Sequence, residues 1–206
     1  IPLGGTGVVG SMGVGGGGMA GCFGYRDGGG RKRAIKRFGG SEATESAVEA
    51  ALRWLKRHQE ADGSWDPHKY EGRSPNVRTR VGCTGLALLA FLGAGHTGKS
   101  GKFADTVKRA QNWLVKQQKP NGGIYGGVGH GANTSAGYNH AIAALALAEA
   151  YGMSRNPEVK VAAQKAVDYS INVHQNPYSA WRYDPKKQTD VSVSGWFVMQ
   201  LKSAKI

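Results

Sequence analysis

One phrase is written three times along this chain at nearly constant spacing. Each copy has an aromatic residue, then Gln, then Gly or Ser, and then a second aromatic residue. The first aromatic residues are Trp54, Trp113 and Tyr169, which lie 59 and 56 residues apart. Self-similarity at a fixed period indicates a repeat architecture, in which one unit buries its apolar face only against its neighbour. The phrase therefore predicts an array of similar units.

The residue types in the phrase predict structural functions. The first aromatic ring buries apolar area between units, Gln bonds carbonyl groups at a helix end, and Gly lets the chain reverse. The second aromatic residue is expected to pack over the turn. The structural residues are Trp54, Gln59, Gly63 and Trp65 in the first copy, Trp113, Gln118, Gly122 and Tyr125 in the second, and Tyr169, Gln175 and Trp181 in the third. The third copy has Ser179 in place of Gly and one extra residue before its Gln.

Each copy belongs to a predicted helical hairpin. Val48, Ala51, Leu52 and Leu55 follow the spacing of one buried stripe, and Ser41 is a suitable N-cap for this amphipathic helix. Residues 84–92 are apolar almost all round, which is typical of a helix buried on all sides. The pair recurs, with outer helices expected at 41–60, 103–118 and 157–174 and inner helices at 84–92, 140–151 and 190–202. The sequence thus predicts an all-α domain of about three hairpins over residues 41–206.

Glycine separates this body from a leader. Of the 33 glycines, 16 fall in residues 1–40, a composition that favours a flexible linker. We therefore interpret residues 1–40 as a disordered, Gly-rich linker. It carries five of the net +13 charges. Basic residues beside glycines suit an anionic membrane surface or a nucleic acid, but interleaved aromatic residues are missing, so no nucleic-acid partner is expected.

Composition excludes several other classes of site. Cys22 and Cys83 have no CxxC or Cys/His spacing, and the six histidines have no i, i+4 pairing, so we expect neither a metal site nor a cofactor. No apolar run reaches the length that spans a bilayer, and the start of the chain does not read as a signal peptide. The compartment stays open, as does membrane association through regions beyond this chain.

The repeats resemble the QW repeats of squalene-hopene and oxidosqualene cyclases. The inner segment TGLALLAFLGAG is similar to inner helices of protein prenyltransferase β subunits. Both belong to the terpenoid cyclase/prenyltransferase superfamily, so the resemblance, over about residues 42–204, implies an α/α toroid with inner and outer helices around a cavity. Three hairpins are too few to close such a ring, and the chain starts with Ile1. We therefore expect a partial toroid from a larger bacterial protein, truncated at its C-terminus.

The chemistry of those families is not visible in this sequence. It lacks the DxDD acid cluster of the cyclases and the Asp-x-Cys pair of the prenyltransferases. We therefore favour a ligand-binding or scaffold toroid, whose partner by resemblance is an apolar or isoprenoid-like small molecule. The alternative is an isoprenoid enzyme, a terpene cyclase or prenyltransferase, with catalytic residues outside this stretch. A toroidal polysaccharide lyase or thioester-type domain is less favoured, because neither a lyase basic cluster nor Gly-Cys-Gly-Glu-Gln is present.

Candidate cavity residues come from the loops that lead into the inner helices. In toroids of this kind these loops lie near the cavity mouth. The candidates are His68, Arg80, Tyr138, Asn139, His140, Tyr183 and Asp190. Asp190 also suits an N-cap.

Overall fold

The computed structural model describes residues 23–26, 28–71, 79–126 and 135–205, and in these residues every regular element is a helix. The helices are α1 (Gly28–Phe38), α2 (Glu42–Arg57), α3 (His68–Glu71), α4 (Arg80–Gly93), α5 (Ala104–Gln117), α6 (Ser135–Ser154), α7 (Pro157–Asp168) and α8 (Val191–Ala204). A π-helical segment, Tyr169–His174, continues α7. The predicted all-α class and the six predicted hairpin helices are confirmed.

Two of the helices begin with the caps that the sequence indicates. Ser41 Oγ accepts a hydrogen bond from the Thr44 N–H at 3.3 Å, and Thr44 Oγ1 accepts one from the Ser41 N–H at 2.9 Å. Asp190 Oδ1 accepts from the Val193 N–H at 2.9 Å. Each bond satisfies an amide that the first helical turn leaves without a partner. The capping interpretation is therefore confirmed for Ser41 and Asp190.

The inner helices α4, α6 and α8 lie side by side, with α6 packed between the other two. Tyr138 Oη lies 2.7 Å from Ser192 Oγ, and Ser203 Oγ donates to Glu149 Oε1 at 3.3 Å. Both pairs join residues 54 positions apart, so α6 and α8 run parallel. The three inner helices therefore form one layer, and α2, α5 and α7 form the outer layer of a partial α/α toroid.

The turn after each outer helix has the same backbone hydrogen bonds in all three repeats. In the first copy the Glu60 N–H donates to the Ser64 carbonyl, and the Glu60 carbonyl accepts from the Gly63 N–H. The equivalent residues, in the same order, are Lys119, Gly123 and Gly122 in the second copy and Asn176, Ala180 and Ser179 in the third. Gly63 and Gly122 have φ values of 99° and 90°, whereas Ser179 is not at positive φ. The Ser in the third copy therefore leaves the hydrogen bonds of the turn intact.

The repeated Gln joins one repeat to the next. Gln59 Nε2 donates to the Thr106 carbonyl within α5, and Gln118 Nε2 donates to the Ala162 carbonyl within α7, both at 2.9 Å. The same amides also donate to the carbonyls of their own turn glycines. The prediction that Gln binds carbonyls at a helix end is therefore wrong. Among the described residues, the side chain of Gln175 makes no comparable bond.

The first aromatic residue of the phrase is buried only where an earlier repeat covers it. Trp113 is 8% exposed and Tyr169 is 1% exposed, as predicted. Trp54 is 47% exposed, and its ring stacks on His58 with 3.9 Å between ring centroids. The prediction of burial between units is therefore wrong for Trp54, because no preceding repeat covers α2 in the described part of the chain.

The extra residue of the third copy is accommodated as a π-helical turn. Residues Tyr169–His174 form this segment, and the Gln175 N–H bonds to the Ser170 carbonyl five positions earlier at 3.0 Å. A π-bulge adds one residue to a helix without breaking it. The turn of the third copy therefore keeps the hydrogen bonds of the other two, although one more residue separates its first aromatic residue from its Gln.

Part of the predicted linker is folded. Residues Gly28–Phe38 form α1, and Arg31 Nε donates to Glu45 Oε2 on α2 at 2.5 Å. The interpretation of a disordered linker does not hold for these residues, because 31–38 contain no glycine and the Arg31–Glu45 ion pair ties α1 to α2. Residues 1–22, including Cys22, lie outside the described residues.

Candidate functional site

Three polar side chains, which we call the polar markers, occupy equivalent positions on the inner helices. They are Thr84 on α4, His140 on α6 and Ser194 on α8. Each accepts a hydrogen bond from a backbone N–H of the turn that precedes its helix, at 3.1–3.2 Å. The donors are Trp65, Ile124 and Trp181. The side of each inner helix that carries this polar residue therefore faces the outer layer.

Ile124 and not Tyr125 occupies the position of the second aromatic residue in the middle repeat. Ile124 is fully buried, like Trp65 and Trp181, which are each 7% exposed. The two Trp indole nitrogens donate to carbonyls of their own outer helices. Tyr125 lies against Gly123 instead, with its ring 6.0 Å from that of Tyr169. Tyr125 thus packs on the turn as predicted, but beside the repeat position.

The opposite side of the inner helices carries an apolar surface, which we call the inner face. Successive helical residues are about 100° apart, so the residues two and five positions after each polar marker point away from the outer layer. These residues are Leu86 and Leu89 on α4, Ile142 and Leu145 on α6, and Trp196 and Met199 on α8. The register of the helices places them in two rows of three.

The inner face is exposed at its sides. Leu86 and Met199 are each 45% exposed, whereas Ile142 and Leu145 on the central helix are 6% and 5% exposed. Ile142 and Leu145 are buried outside the main core cluster, whereas the half-buried Leu89 packs against that cluster and Trp196 packs against a second cluster of Ala141, Trp181, Val193 and Phe197. Exposed apolar side chains on the two flanking helices, α4 and α8, border the buried pair on α6, and exposed apolar surface is typical of a surface that binds another apolar group.

Polar groups border the amino end of the inner face. The Tyr138 and Tyr183 rings lie 5.8 Å apart between centroids, and Tyr183 Oη donates to Asp190 Oδ2 at 3.4 Å. The negative charge of Asp190 raises the pKa of the Tyr183 phenol above its ordinary value. The structure thus brings together three of the predicted candidates, Tyr138, Tyr183 and Asp190, beside an apolar surface.

Two other candidates belong to the first turn of the array. Arg80 Nε donates to Ser64 Oγ and Arg80 Nη2 donates to Asp62 Oδ2, both at 2.8 Å. The His68 N–H donates to Asp66 Oδ1 at 3.0 Å at the start of α3. These contacts hold the loop between α2 and α4, and they do not place His68 or Arg80 on the inner face.

Asn139 and His140 also lie elsewhere than predicted. Asn139 is 2% exposed and accepts from the Gly82 N–H at 3.1 Å, so it faces α4. His140 is fully buried on the outer-layer side: Nδ1 accepts from the Ile124 N–H, which assigns the ring proton to Nε2, 2.8 Å from Ser170 Oγ. This Ser–His pair is closed off from solvent, since Ser170 is also 0% exposed, and it joins α6 to the π-helical segment.

Asp62 connects the first turn to two other elements. Its carboxylate accepts from Ser64, from Arg80 and from the Trp113 indole N–H at 3.0 Å. Partial burial alone raises the pKa of this carboxyl, but the hydrogen bonds from Ser64 and the charge of Arg80 outweigh it and lower the pKa. The carboxylate therefore stabilises the fold in its ionised form.

Replacing Asp62 by Asn should lower stability most at neutral pH. Because the pKa of Asp62 is lower in the folded chain, its contribution is present above the unfolded value of about 4 and is lost as the pH falls through the folded value. Urea unfolding at several pH values should show a stability difference between the natural chain and Asp62→Asn that narrows on acidification. A difference that stays constant from neutral pH to about pH 3 would contradict this expectation. Asp105→Asn, at an exposed carboxylate, is the control.

Metal binding and membrane crossing find no support in residues 23–26, 28–71, 79–126 and 135–205. In these ranges no cluster of His, Cys, Asp and Glu side chains has a geometry that could hold a metal ion. Nor does any of the helices there combine the length and the apolar character needed to cross a membrane. Cys83, on α4, is half-buried.

The inner face was missed by the sequence reasoning, which looked for polar groups in loops. Its signal was present in the spacing of Thr84, His140 and Ser194, which lie 56 and 54 residues apart and match the period of the outer-helix phrase. An alignment of the inner helices by their small residues, which pairs Ala143 with Thr84 and Ser194, shifts the middle helix by three residues. That shift hides the rows of Leu86 and Leu89.

The fold and the inner face define a helical-repeat protein of the partial α/α-toroid class. A family model described as the squalene-hopene cyclase C-terminal domain matches residues 32–134, which is half of the chain. The chain belongs to the squalene-hopene cyclase C-terminal domain family. No curated protein and no solved structure matches it significantly. The matched residues run from α1 through α5 and the turn that follows it.

Proposed function

We propose that this chain is a ligand-binding toroid that takes an apolar, isoprenoid-like molecule on its inner face. The observation that carries the proposal is the pair of apolar rows on α4, α6 and α8, with Leu86 and Met199 each 45% exposed. Burying such side chains against a hydrocarbon is favourable by about 25 cal/mol per Å² of apolar area. The aromatic and hydroxyl groups of Tyr138 and Tyr183 give one end of the surface a polar border for a head group.

The candidate polar residues support binding better than catalysis. Arg80, Asn139 and His140 are held in hydrogen bonds between helices and turns, and Asp190 caps α8. Their functional atoms are therefore committed to the fold. A catalytic acid needs a proton that can reach the substrate, which this arrangement does not offer in the described residues.

An isoprenoid enzyme is the second candidate, favoured by the family match and by the same apolar surface. Because its catalytic residues are expected outside this stretch, the test that separates the two functions is incubation of the complete protein that contains this chain with squalene and with prenyl diphosphates, followed by product detection. Binding without product supports the ligand-binding toroid. A cyclised or transferred product would establish the enzyme instead.

Charged side chains on the inner face should abolish binding. We expect that Leu86→Lys combined with Met199→Lys weakens the binding of farnesol by at least about tenfold, because an ammonium group must be desolvated where the chain of the ligand should lie. Both positions are half-exposed, so the fold should tolerate the change. Equilibrium dialysis with labelled farnesol measures the effect.

The matched control is Val161→Lys, at a 56% exposed apolar residue on the outer helix α7. It adds one of the two positive charges of the double variant, on the outer layer instead of the inner face, and should leave binding unchanged. Equal losses in the two variants, or no binding by the natural chain, would count against the inner face as the site.

A further inference from the structure

The last inner helix, α8, carries an apolar stripe on the side that faces away from α6. The stripe lies three positions before and one, four and eight positions after the polar marker, and these positions share one side of a helix. On α8 they are Val191, Gly195, Val198 and Lys202, which we call the edge stripe. Their counterparts are Val81, Gly85, Leu88 and Leu92 on α4 and Gly137, Ala141, Ala144 and Ala148 on α6, and all of these are buried.

On α4 and α6 the following inner helix covers this side. A Cβ atom at Gly85 would lie 3.2 Å from Ala143 Cα, so the backbones of α4 and α6 approach closely there. Ala141, the counterpart of Gly85 on α6, is fully buried in a cluster with Val193 and Phe197 of α8. Each of the first two inner helices therefore uses this side to pack against the next one.

On α8 the same side is open. Val191 is 87% exposed and Val198 is 55% exposed, although both side chains are apolar. A Cβ atom at Gly195 would meet no atom of the described residues within 4 Å. Exposed apolar side chains around a small residue form a surface into which the ridge of another helix fits. The edge stripe is therefore a helix-packing surface that no described helix of this chain covers.

The outer layer restricts what the edge stripe can take. At Gly63 and Gly122 the next outer helix comes so close that a Cβ atom would lie 2.5 Å and 2.2 Å from its carbonyl oxygens. The third turn has Ser179 at this position and lacks the glycine that the close contact needs. A further hairpin cannot pack there as the second and third do. The occupant therefore contacts the inner layer alone.

The edge stripe is complementary to a second copy of itself. When two α8 helices lie antiparallel with Val198 opposite the partner's Gly195, the same register sets Val191 opposite the partner's Lys202. The Val198 side chain then fills the space over the glycine, and the methylene stem of Lys202 covers the partner's Val191. Asp190, one residue before the stripe, comes near the partner's Lys202, so unlike charges meet at both ends.

We propose that this chain forms a two-fold homodimer in which the α8 helices of two copies pack antiparallel through their edge stripes. Such a contact is isologous, which is the commonest symmetry of soluble oligomers. It is separate from ligand binding on the inner face and does not depend on it. Because each subunit contributes a single helix, the buried area is small and the dimer is a weak one.

Sedimentation velocity of the full chain, over a series of concentrations from micromolar to millimolar, measures the association. We expect the natural chain to dimerise and Val198→Lys to raise the dissociation constant at least about tenfold, because an ammonium group on each subunit loses water against apolar side chains. The matched control is Val161→Lys, at a 56% exposed residue on α7, which should leave the dimer unchanged. A chain that stays monomeric, or that loses its dimer equally in both variants, would overturn the proposal.

Lys202→Glu tests the antiparallel direction at an exposed residue. It brings a carboxylate beside the partner's Asp190 and should weaken the dimer severalfold, since like charges repel. In a parallel dimer each Lys202 faces its own copy, and reversing both charges changes nothing. A dimer that Lys202→Glu leaves intact would therefore overturn the antiparallel pairing. In a monomeric chain, shifts of the Val191 and Val198 methyl groups on titration with farnesol would assign the edge stripe to a ligand instead.

Discussion

Gly122→Ala should unfold the chain at a much lower urea concentration, with a loss of about 3–5 kcal/mol. Gly122 has a φ of 90°, a conformation that costs an L side chain about 1–2 kcal/mol. A Cβ atom there would also lie 2.2 Å from the Lys165 carbonyl oxygen on α7. That oxygen belongs to a helical backbone and cannot swing aside, so the two outer helices must separate.

The control for this change is Gly195→Ala. Gly195 lies within α8 at an exposed position, and a Cβ atom there meets nothing within 4 Å. Alanine should stabilise this helix by about 0.5–1 kcal/mol, because glycine loses more backbone freedom on folding. Similar small effects at both glycines would mean that the turn does not set the distance between the outer helices.

Trp113→Ala should cost about 3–5 kcal/mol, the range for truncating a buried large aromatic residue. Trp113 is 8% exposed, its indole N–H donates to Asp62 at 3.0 Å, and the Arg80 guanidinium lies 5.5 Å from the centre of its ring. Alanine leaves a cavity between the first and second repeats and removes the partner of a turn carboxylate.

Trp54→Ala is a matched control, because Trp54 occupies the same position of the first copy. Its ring is 47% exposed, so we expect a loss within about 1 kcal/mol. Chemical unfolding of both variants measures the difference. A near-neutral result for Trp113 would show that this ring is not packed between repeats.

The contrast between these two Trp residues shows where sequence reasoning stops. The repeated phrase predicted that both rings are buried between adjacent units, and the apolar segments located the inner helices α4, α6 and α8 within a few residues of their ends. Whether a ring is covered depends on the preceding repeat, which no local pattern around Trp54 reveals. The extra residue before Gln175 was visible in the sequence, but its accommodation as a π-helical segment needed the packing of Tyr169 against the neighbouring repeat.

The candidate site was harder to predict than the fold. Loop position favoured polar residues such as His140, yet the hydrogen bond from the Ile124 N–H turns its ring toward the outer layer. The inner face requires the register between three helices, and the packing of the N-terminal segment on α6 requires a contact between residues 123 positions apart, Arg26 and Glu149. Composition described the leader as glycine-rich and did not show that one of its aromatic residues fits over Gly152.

Under the proposed function, the two layers of the toroid have different tasks. Gln59 and Gln118, with the turn glycines, hold neighbouring outer helices together, and both glutamines lie within the residues 32–134 that match the squalene-hopene cyclase C-terminal domain. Under the proposed function, the inner layer presents Leu86, Leu89 and their counterparts to a ligand. A binding domain and an enzyme of this family would share the outer-layer framework and would differ in the polar groups on the inner layer.

Methyl-resolved NMR of the full chain during titration with farnesol tests the central claim most directly. The account predicts concentration-dependent shifts for the methyl groups of Leu86, Leu89, Ile142, Leu145 and Met199 on the inner face, with Val161 and Val173 on the outer helix unchanged. Shifts confined to the outer helices, or none at any concentration at which farnesol stays dissolved, would contradict it.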